Sequence, residues 1–296
     1  MMGKQYYYAF WLALGFLTRI PTIDLLPVYN ETIDSKTDDK KISDNKSSGN
    51  LLNSSYRDIA RLSLLFYPLV GFIVGLVLFT SAWVLTNLLS MPAELSAVLI
   101  VFLWFKITGG LHLDGVADTA DAWVGGMAID DQGKADHEAS KIKTLAIMKD
   151  SFIGPMGVIA IVFVLLLKTA GVLWLIEQQL PELLMAVALF GRGILLPWFK
   201  WLPYVRENGL GFGLSADFNL VQWGSVIATS ILVAMCLYSN VVFWSLLVVA
   251  LAGVFWYFRA QCMERIGGTT GDTAGMMIEY TEVATLVFGV ALISII

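Results

Sequence analysis

The chain has 296 residues, of which 57% are hydrophobic and 15% are charged, against about 25% charged residues in a typical soluble protein. Its mean hydropathy is +0.72, and its charged residues are too few to cover the surface of a soluble globule of this size. Two cysteines exclude a disulfide scaffold, and a net charge of −5 argues against nucleic acid as a partner. The class that remains is a polytopic membrane protein.

Apolar segments long enough to cross a bilayer recur along the chain, since a transmembrane helix needs about 20 such residues. The predicted spans lie at 62–86, 95–110, 153–176, 182–201, 223–239, 241–258 and 283–296. A shorter apolar stretch at 6–17 stops before Arg19, and the sequence leaves open whether it spans the membrane or lies at its surface. We therefore expect an all-α membrane bundle of seven or eight apolar segments, forming one catalytic domain over 1–296.

A polar segment at 28–56 interrupts this pattern. It is rich in Ser, Asn, Asp and Lys and nearly free of aromatic residues. Such a composition cannot bury enough apolar surface to offset the entropy lost on ordering. The composition predicts a disordered insert without a catalytic role.

Lysine and arginine are distributed unevenly among the connections. Those at 87–94, 177–181 and around 240 contain neither residue, whereas 18–61 contains seven and 106–150 contains five. Cytoplasmic loops of membrane proteins carry the excess of these cations. The cationic connections are therefore predicted to face the cytoplasm, and the insert with them.

The densest polar motif is GGLHLDGVADTADAW, which runs from Gly109 to Trp123. Asp114, Asp118 and Asp121 share one face if this stretch is helical. Three crowded carboxylates without a nearby cation need either open water or a divalent cation, and the position directly after an apolar span favours the cation. Carboxylate oxygens suit Mg²⁺, so we predict catalytic aspartates that bind Mg²⁺. The alternative is a solvated acidic helix face.

Three further candidates lie within this motif or after it. His112 either contacts the substrate or bonds a neighbour. Lys149 and Asp150, in LAIMKDSFIGPMG, lie where the chain re-enters the bilayer. We predict that Lys149 binds phosphate and that Asp150 completes the metal shell, with an interfacial lysine and a helix-capping aspartate as the alternative.

Two glycine-rich stretches complete the set, LPYVRENGLGFG and RIGGTTGDTAG. The first supplies Arg206. The second supplies Gly268 and Thr269, where successive backbone N–H groups can hold an anion, and Asp272. Arg192 falls inside a predicted span, where a cation usually faces the bundle interior, and it could meet a substrate phosphate from there. Aspartates, cations and glycine-rich loops together favour phosphoryl transfer through Mg²⁺ at a membrane surface.

The order of these four motifs, with FLTRIP near the start and FYPLVG at 66–71, resembles the cobalamin synthase family, the adenosylcobinamide-GDP ribazoletransferases. The resemblance covers nearly the whole chain outside 28–56. It implies an inner-membrane enzyme of cobalamin biosynthesis that uses Mg²⁺. Such an enzyme joins adenosylcobinamide-GDP to α-ribazole or its 5′-phosphate and releases GMP. It works in the lipid bilayer, and a homo-oligomer is left open. Two positions depart from the family pattern: Ala122 stands where the family leads one to expect Gly, and Phe152 stands where it leads one to expect Arg.

Two other classes of protein compete with this interpretation. The DGVADTAD core is loosely similar to the motif of CDP-alcohol phosphotransferases, in which Asp114, Asp118 and Asp121 would be metal ligands. That motif has Arg after Ala117, where this chain has Asp118. A cation-coupled transporter is disfavoured because the polar motifs lie in connections and no inverted repeat is visible.

Overall fold

The computed structural model of the chain describes residues 2–22, 58–129, 136–206, 214 and 218–296, which form ten helices. In chain order these are α1 Met2–Leu17, α2 Asp58–Leu88, α3 Ala93–Thr108, α4 Leu111–Gly125, α5 His137–Ile147, α6 Pro155–Glu177, α7 Leu183–Trp201, α8 Leu220–Leu237, α9 Val241–Ile266 and α10 Gly271–Ile295. Within these residues, β-type pairing is limited to one isolated bridge between Tyr204 and Thr269. The predicted all-α class is therefore confirmed. The predicted insert at 28–56 lies outside the fully described ranges.

Five of the described helices are long and apolar enough to cross a membrane: α2, α6, α7, α9 and α10. Helices α3 and α4 make a sixth span if they are counted as one, although they are bent by 89°. The apolar part of α8, Val221–Leu237, is shorter than a full span. The described helices thus provide five or six candidate spans, and the predicted count of seven or eight apolar segments is not confirmed.

Two predicted spans have different limits in the structure, and each difference has a local cause. The predicted span at 95–110 ends at Gly109 and Gly110, whose φ angles of +65° and +73° turn the chain into α4. Glycine adopts this left-handed conformation without steric cost. The predicted span at 283–296 is the second half of α10, because Glu279 and Glu282 hide the first half from a hydropathy reading.

Helices α7 and α10 occupy the centre of the bundle. About 72% and 61% of their most apolar windows are buried inside the protein, against 28% for α6 and α9, which face outward. Glycines bring α2 against α7: a Cβ on Gly71 would lie 2.3 Å from the carbonyl oxygen of Ala188, and one on Gly75 would lie 2.5 Å from Cα of Met185. Small residues permit such close backbone approach between membrane helices.

The polar motifs meet at one end of the bundle. Helix α6 begins there, beside Asp121, and α9 ends there, where Arg265 Nη1 donates a hydrogen bond of 2.8 Å to the carbonyl of Trp123. The connections without lysine or arginine follow or precede the far ends of these long helices, so they lie at the opposite end. That the polar end faces the cytoplasm stays a prediction.

Candidate active site

Helix α4 carries Asp114 and Asp118 one turn apart on the same face. The predicted helical spacing is therefore confirmed. Asp114 is exposed and Asp118 is half-buried. Within the described residues, neither carboxylate has a hydrogen-bond or ion-pair partner. Two neighbouring carboxylates without partners repel each other, and this repulsion favours binding of a cation between them.

The third aspartate of the motif has a different environment. Asp121 Oδ2 accepts a 2.7 Å hydrogen bond from the amide of Gly154, and Oδ1 accepts a 2.9 Å bond from the amide of Gly157. A Cβ on either glycine would lie 2.4 Å from a carboxylate oxygen of Asp121. Asp121 therefore caps the amino terminus of α6, where the helix dipole favours an anion. Its predicted role as a metal ligand is not shown by this arrangement.

Helix α10 brings a fourth carboxylate to this end. A Cβ on Gly115 would lie 2.5 Å from the carbonyl oxygen of Asp272, and one on Gly275 would lie 3.2 Å from Cα of His112. These two glycines let α4 and α10 touch along their backbones. The contact places Asp272 beside Asp118, whose electrostatic neighbours also include Asp114 and Asp121.

Arg206 is the cation of this cluster. Its Nη2 lies 2.9 Å from Asp272 Oδ2 and donates a 3.2 Å hydrogen bond to the carbonyl of Met148. Its Nε is buried and has no hydrogen-bond partner among the described residues. The side chain as a whole is 22% exposed, so part of the guanidinium is accessible, while its pair with Asp272 fixes its position.

The turn before α6 lies next to Arg206 through that Met148 carbonyl. Lys149 and Asp150 are exposed, and Asp150 Oδ1 accepts a 3.1 Å hydrogen bond from the amide of Phe152. Asp150 therefore closes the turn, whereas Gly154 holds the N-cap position of α6. Phe152, one of the departures from the family pattern, is 87% exposed. Catalytic roles for Lys149 and Asp150 stay predictions.

The glycine-rich loop before α10 has a structural role that corrects one expectation. The amide of Thr269 donates to the carbonyl of Pro203 at 2.9 Å, and that of Thr270 donates to Thr273 Oγ1 at 2.9 Å. The amide of Gly268 is directed at the carbonyl of Cys262 at 3.4 Å. The expected anion cradle of free amides at Gly268 and Thr269 is therefore not formed.

The side chains of this loop are equally engaged. Thr269 is fully buried, and its hydroxyl accepts a 2.7 Å hydrogen bond from Trp198 Nε1. A Cβ on Gly268 would lie 2.1 Å from the Pro203 carbonyl oxygen, so glycine is required for the loop to pair with the segment after α7. This pairing sets Arg206 opposite Asp272.

A buried charge network lies beneath the cluster. Arg192 Nη1 and Lys168 Nζ both bond Glu282, and Lys168 Nζ also bonds Glu279. His112 is buried, with Nδ1 at 4.0 Å from Glu279 Oε1. The two glutamates are residues that the sequence reasoning missed, although two acidic residues three apart in an apolar helix are a signal for a buried partner.

This network also bears on two substrate-binding predictions. Arg192 is fully buried and paired with Glu282. His112 packs its backbone against Gly275. The structure therefore places both residues inside the bundle, as structural partners of α10. A direct contact of either residue with a substrate stays untested.

Comparison with known proteins assigns relatives to the chain. A sequence profile described as cobalamin-5-phosphate synthase matches residues 9–290. An adenosylcobinamide-GDP ribazoletransferase of Pseudomonas fluorescens is 44% identical over 231 residues, covering 78% of this chain and 88% of the relative. Ribazoletransferases of Pseudomonas entomophila and Acinetobacter baumannii are each 38% identical, covering 96% and 92% of this chain and 98% and 93% of the relatives. No solved structure matches the chain.

Proposed function

The chain belongs to the cobalamin-5-phosphate synthase family, and we propose that the carboxylates of α4 and α10 form its catalytic centre. The activity is that of an adenosylcobinamide-GDP ribazoletransferase. A hydroxyl oxygen of α-ribazole, or of its 5′-phosphate, bonds to the phosphorus next to cobinamide. The bond from that phosphorus to the oxygen of GMP breaks, GMP leaves, and the hydroxyl proton passes to a carboxylate of the cluster.

The observation that carries this assignment is that Asp114 and Asp118 have no hydrogen-bond or ion-pair partner among the described residues, while Arg206 is an electrostatic neighbour of Asp118. The donor brings a diphosphate, so carboxylates alone would repel it. The Arg206 side chain is 22% exposed although it is paired with Asp272. An accessible guanidinium is suited to an anionic oxygen.

The donor set fits Mg²⁺. Within the described residues no three His, Cys, Asp or Glu side chains are placed as a metal group. Mg²⁺ in phosphoryl-transfer sites is usually held by one or two carboxylates, with water and substrate phosphates completing the shell, so two aspartates suffice. Asp114 and Asp118 are the side chains that would hold it. When bound, Mg²⁺ would neutralise the diphosphate and stabilise the departing phosphate.

Other residues of the chain position this centre. Asp121 fixes α6 against α4 through the amides of Gly154 and Gly157. Asp272 orients Arg206, because their pair joins α10 to the segment after α7. The centre is thus built on helix ends that are locked to one another, which favours the fixed geometry that in-line transfer requires.

We assign this end of the bundle to the cytoplasmic side of the bacterial inner membrane. The support is the alternation of cationic and cation-free connections, which coincides with the two ends of the helices.

Release of GMP tests the proposal. Purified protein in detergent or lipid is incubated with adenosylcobinamide-GDP and α-ribazole, with Mg²⁺ varied and with EDTA as the opposing condition. We expect GMP and a cobalamin product in equal amounts, dependent on Mg²⁺. Product formation that EDTA leaves unchanged would contradict the metal assignment, and absence of GMP in a well-folded preparation would contradict the activity.

A further inference from the structure

A cleft of about 680 Å³ opens beside Asp114. Its walls come from α3, from the Gly109–Gly110 turn, from the start of α4 and from α6. Most of the lining side chains are apolar, and the ionisable ones are Asp114 and Arg19. This volume falls in the range of small-molecule sites, about 300–1,000 Å³.

Arg19 is held at this cleft by its backbone and by its stem. Its amide donates a 2.8 Å hydrogen bond to the carbonyl of Ile107 at the end of α3. Its methylene groups cover Gly109, where a Cβ would lie 2.2 Å from Arg19 Cγ. The residue is exposed, and within the described residues its guanidinium has no hydrogen-bond or ion-pair partner.

Three other cations near the centre already have anionic partners. Arg206 is paired with Asp272, while Lys168 and Arg192 are paired with glutamates inside the bundle. Arg19 differs from these three cations because its guanidinium has no carboxylate partner among the described residues, so it is free to bind an anion. A free guanidinium in a cleft that is otherwise apolar is suited to a ligand with an apolar body and one phosphate.

The apolar wall has an aromatic part. Phe102 and Phe105 line the cleft with 57% and 40% of their surfaces exposed. Their ring centroids are 6.5 Å apart, with an angle of 33° between the ring planes. Exposed aromatic rings of this kind offer a surface for a flat heteroaromatic ring system.

We propose that this cleft binds the acceptor, with its base against Phe102 and Phe105 and its 5′-phosphate on Arg19. This inference rests on the proposed function. The acceptor has a planar, methylated benzimidazole base, which matches the apolar wall, whereas the donor is several times larger. Asp114 lines the same cleft, so a bound acceptor has its hydroxyl close to the catalytic carboxylates. The 5′-phosphate is retained in the product and needs a cation of its own.

Acceptor kinetics with Arg19→Gln test the phosphate contact. Glutamine keeps part of the stem over Gly109 and removes the charge. We expect the KM for α-ribazole 5′-phosphate to rise about 10- to 100-fold, as for a lost charge-assisted hydrogen bond, and the KM for α-ribazole to change less than about 3-fold. Arg19→Lys should recover part of the difference. The control is Lys106→Gln, an exposed cation of α3 outside the cleft, which should leave both values unchanged.

The ratio of the two KM values separates this inference from the proposed function. An equal effect on both acceptors, or no effect on either, would overturn the Arg19 contact while wild-type GMP release still supports the activity. The second result is also the one expected if a phospholipid occupies the cleft.

A second variant tests the cleft independently of Arg19. Val98 lines the cleft and is 52% exposed, whereas Leu95 on the same helix is 49% exposed and does not line it. Val98→Trp should raise the KM of both acceptors by about 10-fold or more and leave the donor KM unchanged, while Leu95→Trp should change neither. A Val98→Trp enzyme with unchanged acceptor KM, or with a raised donor KM alone, would overturn the assignment.

Discussion

A comparison of Asp118→Asn with Asp121→Asn tests most directly the different roles of the aspartates on α4. Both changes remove one carboxylate charge from α4 and keep the side-chain shape. Asp118 has three carboxylates and one guanidinium as electrostatic neighbours. Each close pair at a half-buried site contributes about 0.3–0.5 kcal/mol. Removing the Asp118 charge therefore abolishes more repulsion than attraction and raises the free energy of unfolding by about 0.5–1 kcal/mol.

The same change should abolish most of the turnover. If Asp118 holds Mg²⁺, its loss removes about 3 kcal/mol of transition-state stabilisation, or roughly 100-fold in kcat/KM. Asp121→Asn should behave in the opposite way for stability. The amide nitrogen of the new side chain would face one of the two backbone N–H groups whose hydrogen bonds Asp121 now accepts. Loss of that hydrogen bond should lower the free energy of unfolding by about 1.5–3 kcal/mol.

The measurements are GMP release against Mg²⁺ concentration and thermal unfolding in detergent. We expect Asp118→Asn to combine low turnover with an unchanged or raised Tm, and Asp121→Asn to lower Tm. Near-normal GMP release by Asp118→Asn that EDTA does not affect would refute the metal site. A lowered Tm for Asp118→Asn would refute the account of crowded carboxylates.

Three further predictions concern the frame around the centre. Gly115→Ala should lower both Tm and turnover, since its Cβ would overlap a backbone carbonyl of α10 and cost about 1–3 kcal/mol; Gly253→Ala, with open space around it, should be neutral, and equal effects would contradict this packing argument. Glu282→Gln should destabilise the protein by about 3–5 kcal/mol because it removes the carboxylate paired with the buried Arg192 and leaves Lys168 with Glu279 alone, so an unchanged Tm in detergent would argue against the network. In a variant without its native cysteines, Lys149→Cys should resist a membrane-impermeant thiol reagent added to intact cells, whereas Gln179→Cys should react; the reverse pattern would invert the orientation.

Sequence periodicity predicted the features that depend on local geometry. The spacing of Asp114 and Asp118 places them on one face because the helical repeat is 3.6 residues. The alternation of cationic connections grouped the four motifs at one end, since each long helix reverses the chain direction. Neither inference depends on contacts between residues that are far apart in the sequence.

Partners that lie far apart in the chain could not be read from the same pattern. Asp121 bonds amides 33 and 36 residues away, so its capping of α6 could not be read from its spacing, and its role as a metal ligand stays a prediction. Thr269 looked like part of an exposed loop, yet Trp198 and Pro203 cover it. Hydropathy placed the start of α10 too late because Glu279 and Glu282 are polar residues whose partners lie on other helices.

The buried ion network has a consequence for membrane insertion while the protein is being synthesised. Lys168 and Arg192 lie on α6 and α7, and Arg192 precedes its partner Glu282 by 90 residues. During synthesis both cations must enter the membrane before the helix with the neutralising glutamates exists, and an unpaired charge there costs at least about 2.5 kcal/mol. The buried cations of α6 and α7 therefore have no glutamate partner until α10 leaves the ribosome. A chain truncated before α10 would lack both glutamates and would leave Lys168 and Arg192 without these carboxylates inside the bundle.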